Sequence, residues 1–508
     1  MTINALQRRI PDAATEFVPA GIPLFTGVSA KPEQQPEVTH RSKRIDTLEA
    51  AIRNSGLKDG MTISFHHAFR DGDKTVNLVV DKLAAMGFKN LTLAASSLTN
   101  CHAPLVEHIR SGVVGKIYTS GLRGKLADAI SNGLMTEPVH IHSHGGRVHL
   151  IQSGELSIDV AFLGVPCSDE FGNANGFSGK SRCGSLGYAR VDADYAKHVI
   201  LLTEEFVPYP NYPASIAQDS VDAIVQVEEV GNPSKIGGDA TRMTTNPREL
   251  LIAKIAADVI EYSGYFNDGF SLQTGTGGAS LAVTRFMADR MVRNKIKAKF
   301  GLGGITASMV TLHERGLIEN LLDVQCFDSV AAESLGKNPR HQEISANQYA
   351  NPSSKGTSIE QLDVVILSAL EIDTQFNVNV ITGSDGVFRG ASGGHCDTAA
   401  AANMTIVVAP LVRGRIPTVV KSVTTCITPG SSVDVLVTDH GIAVNPARPD
   451  ILARLTAAKL PMLTIEELNE RAYSLTGVPA EIEYTDRIVG IIRYRDGSIL
   501  DVVKQVKA

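Results

Sequence analysis

Leu362-Asp363-Val364-Val365-Ile366-Leu367 has a counterpart 204 residues earlier, in Ile158-Asp159-Val160-Ala161-Phe162-Leu163. Each is a short apolar run with an acidic residue at its entrance, the pattern of a buried strand. The same offset places Asp373 on Asp169, Asn377 on Asn173 and Asn379 on Asn175. Further along, Ala402–Val407 matches Ala196–Leu201 at an offset of 206, and Ser432–Val437 matches Ser220–Val225 at 212. Upstream, Asp268-Gly269 before a strand matches Asp59-Gly60 at 209. Four blocks in one order, with offsets that drift by only a few residues, predict two related halves.

Around these blocks the chain alternates strands and helices. Residues 46–54 and 75–85 carry apolar residues at helical spacing, whereas 61–65 and 91–94 read as strands. That alternation implies βαβ units and mostly parallel sheet. The fold class is therefore α/β, with two similar open α/β domains. The Gly-, Pro-, Ser- and Thr-rich stretch 231–247 is the predicted join. The predicted division is an arm over 1–44, a first domain over 45–240 and a second over 248–508. The arm contains Pro11, Pro19, Pro23, Pro32 and Pro36, which forbid one continuous helix or a central strand.

The composition limits the functions available. Over 508 residues, 48 basic and 54 acidic side chains give a net charge of −6, which does not suit a nucleic-acid or polybasic membrane surface. Tryptophan is absent and aromatics make up 5%, so base or sugar stacking is disfavoured. The six cysteines are scattered with no Cys-x-x-Cys pair, which points to reduced thiols rather than a zinc ribbon. The first residues, MTINALQRRIPDAATEF, lack the apolar core of a secretory signal. No apolar run reaches the ~20 residues of a spanning helix. A cytoplasmic protein is expected.

Glycine is enriched, at about 9% against ~7% on average, and clusters where strands are predicted to end. Gly275, Gly277 and Gly278 follow strand 270–272, Gly303 and Gly304 follow 296–300, and Gly390, Gly393 and Gly394 precede a helical run. Such turns let backbone N–H groups approach a phosphate or an acyl oxyanion. The Lys-Ser/Thr of a P-loop is missing. His140, His142 and His144 alternate and would share one face of a strand. A metal, anion contacts and ordinary structural roles are all open to them. His66-His67 with Arg70 forms a polar cluster just past a strand end, and Arg147 and Arg389 stand closest to glycine loops.

The blocks 362–380 (LDVVILSALEIDTQFNVNV), 388–403 (FRGASGGHCDTAAAAN) and 433–443 (VDVLVTDHGIA) resemble the second domain of CoA-transferases and acetyl-CoA hydrolases. Block 157–178 (SIDVAFLGVPCSDEFGNANGFS) resembles their first domain. Within that family the whole chain is most similar to the citrate lyase alpha subunits. The resemblance implies a transferase acting on citrate and an acetyl thioester, with its site between the two domains. No cofactor or metal would be bound directly; a pantetheine thiol would come from a partner acyl carrier protein or from CoA. It also implies an acyl-carrier gamma subunit, a lyase beta subunit and a homo-oligomer within the complex. Gly393 and Gly394 carry over as contacts to the acyl oxygen or the arm, with Gly275, Gly277, Gly278, Gly303, Gly304 and Arg389 along the thioester arm. His67, His144 and Arg147 are the candidates for citrate. Many CoA-transferases place a nucleophilic glutamate directly before a methionine; here Ser308 precedes Met309. Ser308 is then a candidate hydrogen-bond donor at the reaction centre. The alternatives are a CoA-transferase or hydrolase using a glutamate elsewhere, such as Glu371, and a non-catalytic scaffold.

Overall fold

The computed structural model describes residues 2–11, 26, 42–237, 243–275 and 277–507. Four of the five prolines of the expected arm, and part of the predicted join, lie outside these residues. The chain divides into two units, Met1–Ser42 and Lys43–Ala508. In the first, two-residue strands Thr2–Ile3 and Arg9–Ile10 pair antiparallel.

The second unit is built on two large sheets. One has 11 strands. Its central run, in spatial order, is Val139–Ile141, Val114–Thr119, Leu91–Ala95, Thr62–Phe65, Val160–Ser168, His198–Phe206 and Ala223–Gln226, all parallel. The other has eight. Its run is His341–Glu343, Ile318–Cys326, Ala298–Ile305, Phe270–Thr274, Val364–Ser368, Met404–Val408 and Val435–Thr438, again parallel. Taken in chain order, the two runs have the same strand arrangement, so the repeat seen in the sequence is a repeat of topology.

The matched polar residues also do the same work twice. Asp169 caps its loop by accepting from the Asn173 N–H and side-chain amide, the latter at 2.8 Å; Asp373 does so with Asn377 at 3.1 Å. Asn175 accepts from the N–H groups of Phe177 and Ser178, and Asn379 from those of Ile381 and Thr382. These Asx-type bonds satisfy loop donors that no ladder reaches.

Local chemistry explains the individual elements. Val160–Ser168 is buried along its whole length, as expected of a central parallel strand covered on both faces. Helix Pro247–Tyr262 starts where Asn246 accepts from the Arg248 N–H and Pro247 supplies a preset φ. It buries Ile252, Ala253, Ala256, Ala257, Val259 and Ile260 on one side. Two expectations need correcting. His144–Gln152 is a helix capped by Ser143, and strand Val139–Ile141 ends before it, so the three alternating histidines do not share a strand face. The antiparallel hairpin Tyr484–Arg493 and Ile499–Val506, from the end of the expected second domain, extends the first sheet by pairing with Val139–Ile141. The apolar core is continuous between the halves: Phe300, Leu302, Val324 and Tyr349 pack in the cluster built by the first sheet. Among the described residues no helix is long and apolar enough to cross a membrane.

Candidate active site

The loops at the C-terminal ends of strands from both sheets enclose one cavity of about 380 Å³. This is where open α/β sheets place ligands, and the volume suits a small molecule.

One wall is the loop Phe388–Gly394, which the second half presses onto the first. Leu122 donates to the Gly390 carbonyl at 3.1 Å, Ser392 to the Ser120 carbonyl at 2.7 Å, and His144 to the Gly393 carbonyl at 2.8 Å. The contact is backbone against backbone. A Cβ on Gly390 would lie 2.0 Å from the Val380 carbonyl oxygen, and one on Gly121 would lie 2.3 Å from Ala391 Cα. Gly393 adopts φ +55°, which glycine enters at no steric cost. The N–H groups of Gly393 and Gly394 have no acceptor among the described residues.

The opposite wall carries His67 and His144, whose ring centroids are 5.7 Å apart, with Tyr188 at 5.0 and 4.5 Å from them. Burial, reinforced by neighbouring positive charge, pushes the His67 imidazole well below its ordinary range and that of His144 down to about 3. Both are neutral at neutral pH. They can hydrogen-bond a carboxylate but not balance its charge.

That balance falls to arginines. Arg389 lines the cavity but is tied to Asp128 and Asp385. Arg70 and Arg123 also line it, and among the described residues neither side chain has an ion pair or hydrogen-bond partner. Burial, with Arg123 adding to it, lowers the Arg70 guanidinium to about 10, still protonated at neutral pH. Among the described residues, several buried polar atoms of the lining also have no hydrogen-bond partner: Ser120 Oγ, Thr274 Oγ1, Gln273 Oε1 and His144 Nδ1. An unpaired buried polar atom costs about 1–3 kcal/mol, which a polar ligand would recover.

Of the residues expected from the sequence, His67, His144, Gly275, Gly304, Arg389, Gly393 and Gly394 line this cavity. The others lie elsewhere. Arg147 is buried, and its Nη2 donates to both oxygens of Asp192 at 2.9 Å; it is a structural cation, not a cavity group. Ser308 stands in the first turn of helix Ala307–Glu314, bonded to Thr306 Oγ1 at 2.9 Å and outside the lining. Gly277 and Gly278 open helix Gly278–Asn294, also outside it. Gly303, at φ +98°, makes room for the Gln273 amide, which reaches the Tyr349 hydroxyl at 2.8 Å. Gly304 makes room for a ring: its Cβ would lie 2.1 Å from Phe327 Cζ. Glu371 is absent from the lining, and its oxygens accept from Asn379 and Thr424. His140 stacks on Tyr118 at 4.4 Å, and His142 is buried beside Ser143.

Sequence reasoning missed Arg123, Tyr188, Ser120 and Thr274. Arg123 and Ser120 follow the strand Val114–Thr119, so strand-end position was the one signal available.

Comparison with known proteins identifies the family. The family model for the citrate lyase alpha subunit matches residues 41–506. The citrate lyase alpha chain of Haemophilus influenzae is 72% identical over 465 residues, covering 92% of this chain and 93% of that one. The Escherichia coli citrate lyase alpha chain is 70% identical over 479 residues, covering 94% of each. A crystal structure of a citrate lyase alpha subunit from Streptococcus mutans in complex with citrate superimposes with a TM-score of 0.91 at 54% identity, covering 99% of this chain and 100% of that one. The chain belongs to the citrate lyase alpha subunit family.

Proposed function

We propose that this cavity transfers a thiol carrier from an acetyl thioester to citrate, giving citryl thioester and acetate. The chain acts as the alpha subunit of citrate lyase. The carrier is the pantetheine thiol of an acyl-carrier subunit or of CoA, and carbon–carbon cleavage of the citryl group belongs to a separate lyase subunit. The observation that carries this reading is the meeting, in one cavity, of Arg70 and Arg123, without ion pairs among the described residues, with a glycine loop whose Gly393 and Gly394 N–H groups have no acceptor among them.

The chemistry runs in two steps. A citrate carboxylate oxygen attacks the acetyl thioester carbonyl, the C–S bond breaks, and a mixed anhydride and a thiolate result. The thiolate then attacks the citryl carbonyl of the anhydride, the C–O bond breaks, and acetate leaves. Each step passes through a tetrahedral oxyanion and neither needs a strong base. The Gly393 and Gly394 N–H groups are suited to that oxyanion; one such donor is worth about 2.7–4 kcal/mol. The neutral His67 and His144 hydrogen-bond the substrate without capturing its charge. Holding carboxylate and thioester in register supplies up to ~7–11 kcal/mol.

Incubating the full chain with acetyl-CoA and citrate, and following citryl-CoA by mass spectrometry, tests the reading. Citryl-CoA and acetate should form with no enzyme adduct trapped by hydroxylamine or borohydride. A glutamyl adduct would replace direct attack with a covalent route, and no exchange under any condition would leave a scaffold.

A further inference from the structure

Arg70 is held in an unusual way. It takes φ +53°, a left-handed conformation that side chains other than glycine seldom adopt. Its N–H donates to the His67 carbonyl at 3.0 Å, and its own carbonyl accepts from the Asp73 N–H and Thr99 Oγ1, each at 3.2 Å. The backbone is thus fixed from both sides, in a geometry that sends the side chain towards the second half. There the guanidinium carbon lies 4.9 Å from the centroid of the Phe327 ring. Phe327 is fixed in turn: its N–H donates to the Ile305 carbonyl at 2.8 Å, and its ring fills the space left by the missing side chain of Gly304. Strained residues held by their surroundings cluster at ligand sites. The aromatic face holds a cation without neutralising it, so the charge stays available to a ligand. Arg123 reaches the same cavity from the first half and, among the described residues, is equally without an ion pair or hydrogen bond. Its positive charge bears on Arg70. Asp71 offsets part of the Arg70 charge, but two guanidiniums that feel one another in a partly buried cavity, neither in an ion pair among the described residues, call for a ligand with more than one negative charge.

We propose that Arg70 and Arg123 form the polycarboxylate-recognition end of the cavity, and that Phe327, seated over Gly304, is the positioning residue that holds Arg70 in place. This rests on the citrate reading above and adds which groups select the acid. It divides the site: carboxylates at the two arginines, the thioester carbonyl at the Gly393–Gly394 loop. A monocarboxylate such as acetate brings one negative charge to two guanidiniums, so a tricarboxylate is preferred over the leaving acid.

The test is calorimetric titration of the full chain with citrate, alongside steady-state kinetics with acetyl-CoA as donor. Arg70→Met and Arg123→Met should each weaken citrate binding roughly ten- to a hundredfold, the value of a hydrogen bond to a charged group, while the acetyl-CoA KM holds. Phe327→Leu should raise the citrate KM about two- to thirtyfold with kcat at saturating citrate retained, and Phe327→Tyr should restore it. Among the described residues the Arg123 side chain has no ion pair or hydrogen bond to lose, so its variant carries the test even if Arg70→Met fails to fold. Citrate affinity unchanged in Arg123→Met and Phe327→Leu would overturn the proposal and leave the transferase reading standing. A wild-type chain that neither binds citrate nor forms citryl-CoA would overturn both.

Discussion

Replacing Arg147 with methionine separates a structural cation from a substrate-binding one. The guanidinium donates from Nη2 to both Asp192 oxygens at 2.9 Å and to the Ala94 carbonyl at 3.3 Å, with side-chain exposures of 3% for Arg147 and 1% for Asp192. Methionine conserves the stem and removes the charge, leaving the Asp192 carboxylate buried and uncompensated. Breaking one partner of a buried pair costs about 3–5 kcal/mol. The lower end is expected here, because burial already raises the Asp192 pKa and an unpaired Asp192 can take up a proton. Urea denaturation should show the midpoint falling with the slope unchanged. The double variant Arg147→Met/Asp192→Leu, which removes both charges, should regain most of the loss. If Arg147→Met instead keeps the wild-type midpoint and raises the citrate KM, Arg147 faces substrate and the assignment made here is wrong.

Three further outcomes follow from the same geometry. The buried Asp397 accepts from Ser143 Oγ and the Gly145 N–H, and burial pushes its pKa up to about 6 from 3.8. The folded chain then holds a proton that the unfolded chain releases between pH 4 and 6, so stability falls as pH rises through that window, by about 3 kcal/mol. Asp397→Asn should flatten the slope of a denaturation–pH series there, and an unchanged slope would deny the shift. Gly304→Ala needs no special backbone angle, but its Cβ meets Phe327 at 2.1 Å. It should cost about 1–3 kcal/mol of stability by overpacking, and an unchanged urea midpoint would show that the ring yields freely. Ser308→Ala removes one hydroxyl contact outside the cavity lining and should leave citryl-CoA formation near wild type; a tenfold loss in kcat would place that hydroxyl at the reacting carbonyl.

What was legible in the sequence was periodic or repeated. Strand and helix positions such as Thr62–Phe65, Leu91–Ala95 and Thr75–Ala85 came through because period-two and period-3.6 patterning reports which face is buried. The duplication was legible because paired halves reuse the same strand-and-Asx-loop unit, down to Asp169 with Asn173 and Asp373 with Asn377. The expectation that His140, His142 and His144 share a strand face fails because His144 opens the helix His144–Gln152. The alternation of His140, His142 and His144 mimics strand periodicity, although strand, loop and helix hold one each, and the hydrogen bond by which Ser143 caps the helix shows only in three dimensions.

The site divides in the same manner. Glycines at strand ends could be found from sequence, since a close backbone approach tolerates no side chain; Gly275, Gly304, Gly390, Gly393 and Gly394 are the cases that line the cavity. By itself the sequence determined the two-sheet architecture, the family resemblance and the strand-end loops that carry chemistry. Only tertiary structure decided which charges are spent and which are free. Arg147 beside a glycine loop and Arg70 beside two histidines look alike along the chain. Asp192 lies 45 residues from Arg147 and takes up its charge, whereas Arg70 meets, from the other half of the molecule, a ring that holds it without neutralising it. Electrostatic pairing depends on distance in space, and no local pattern encodes that distance.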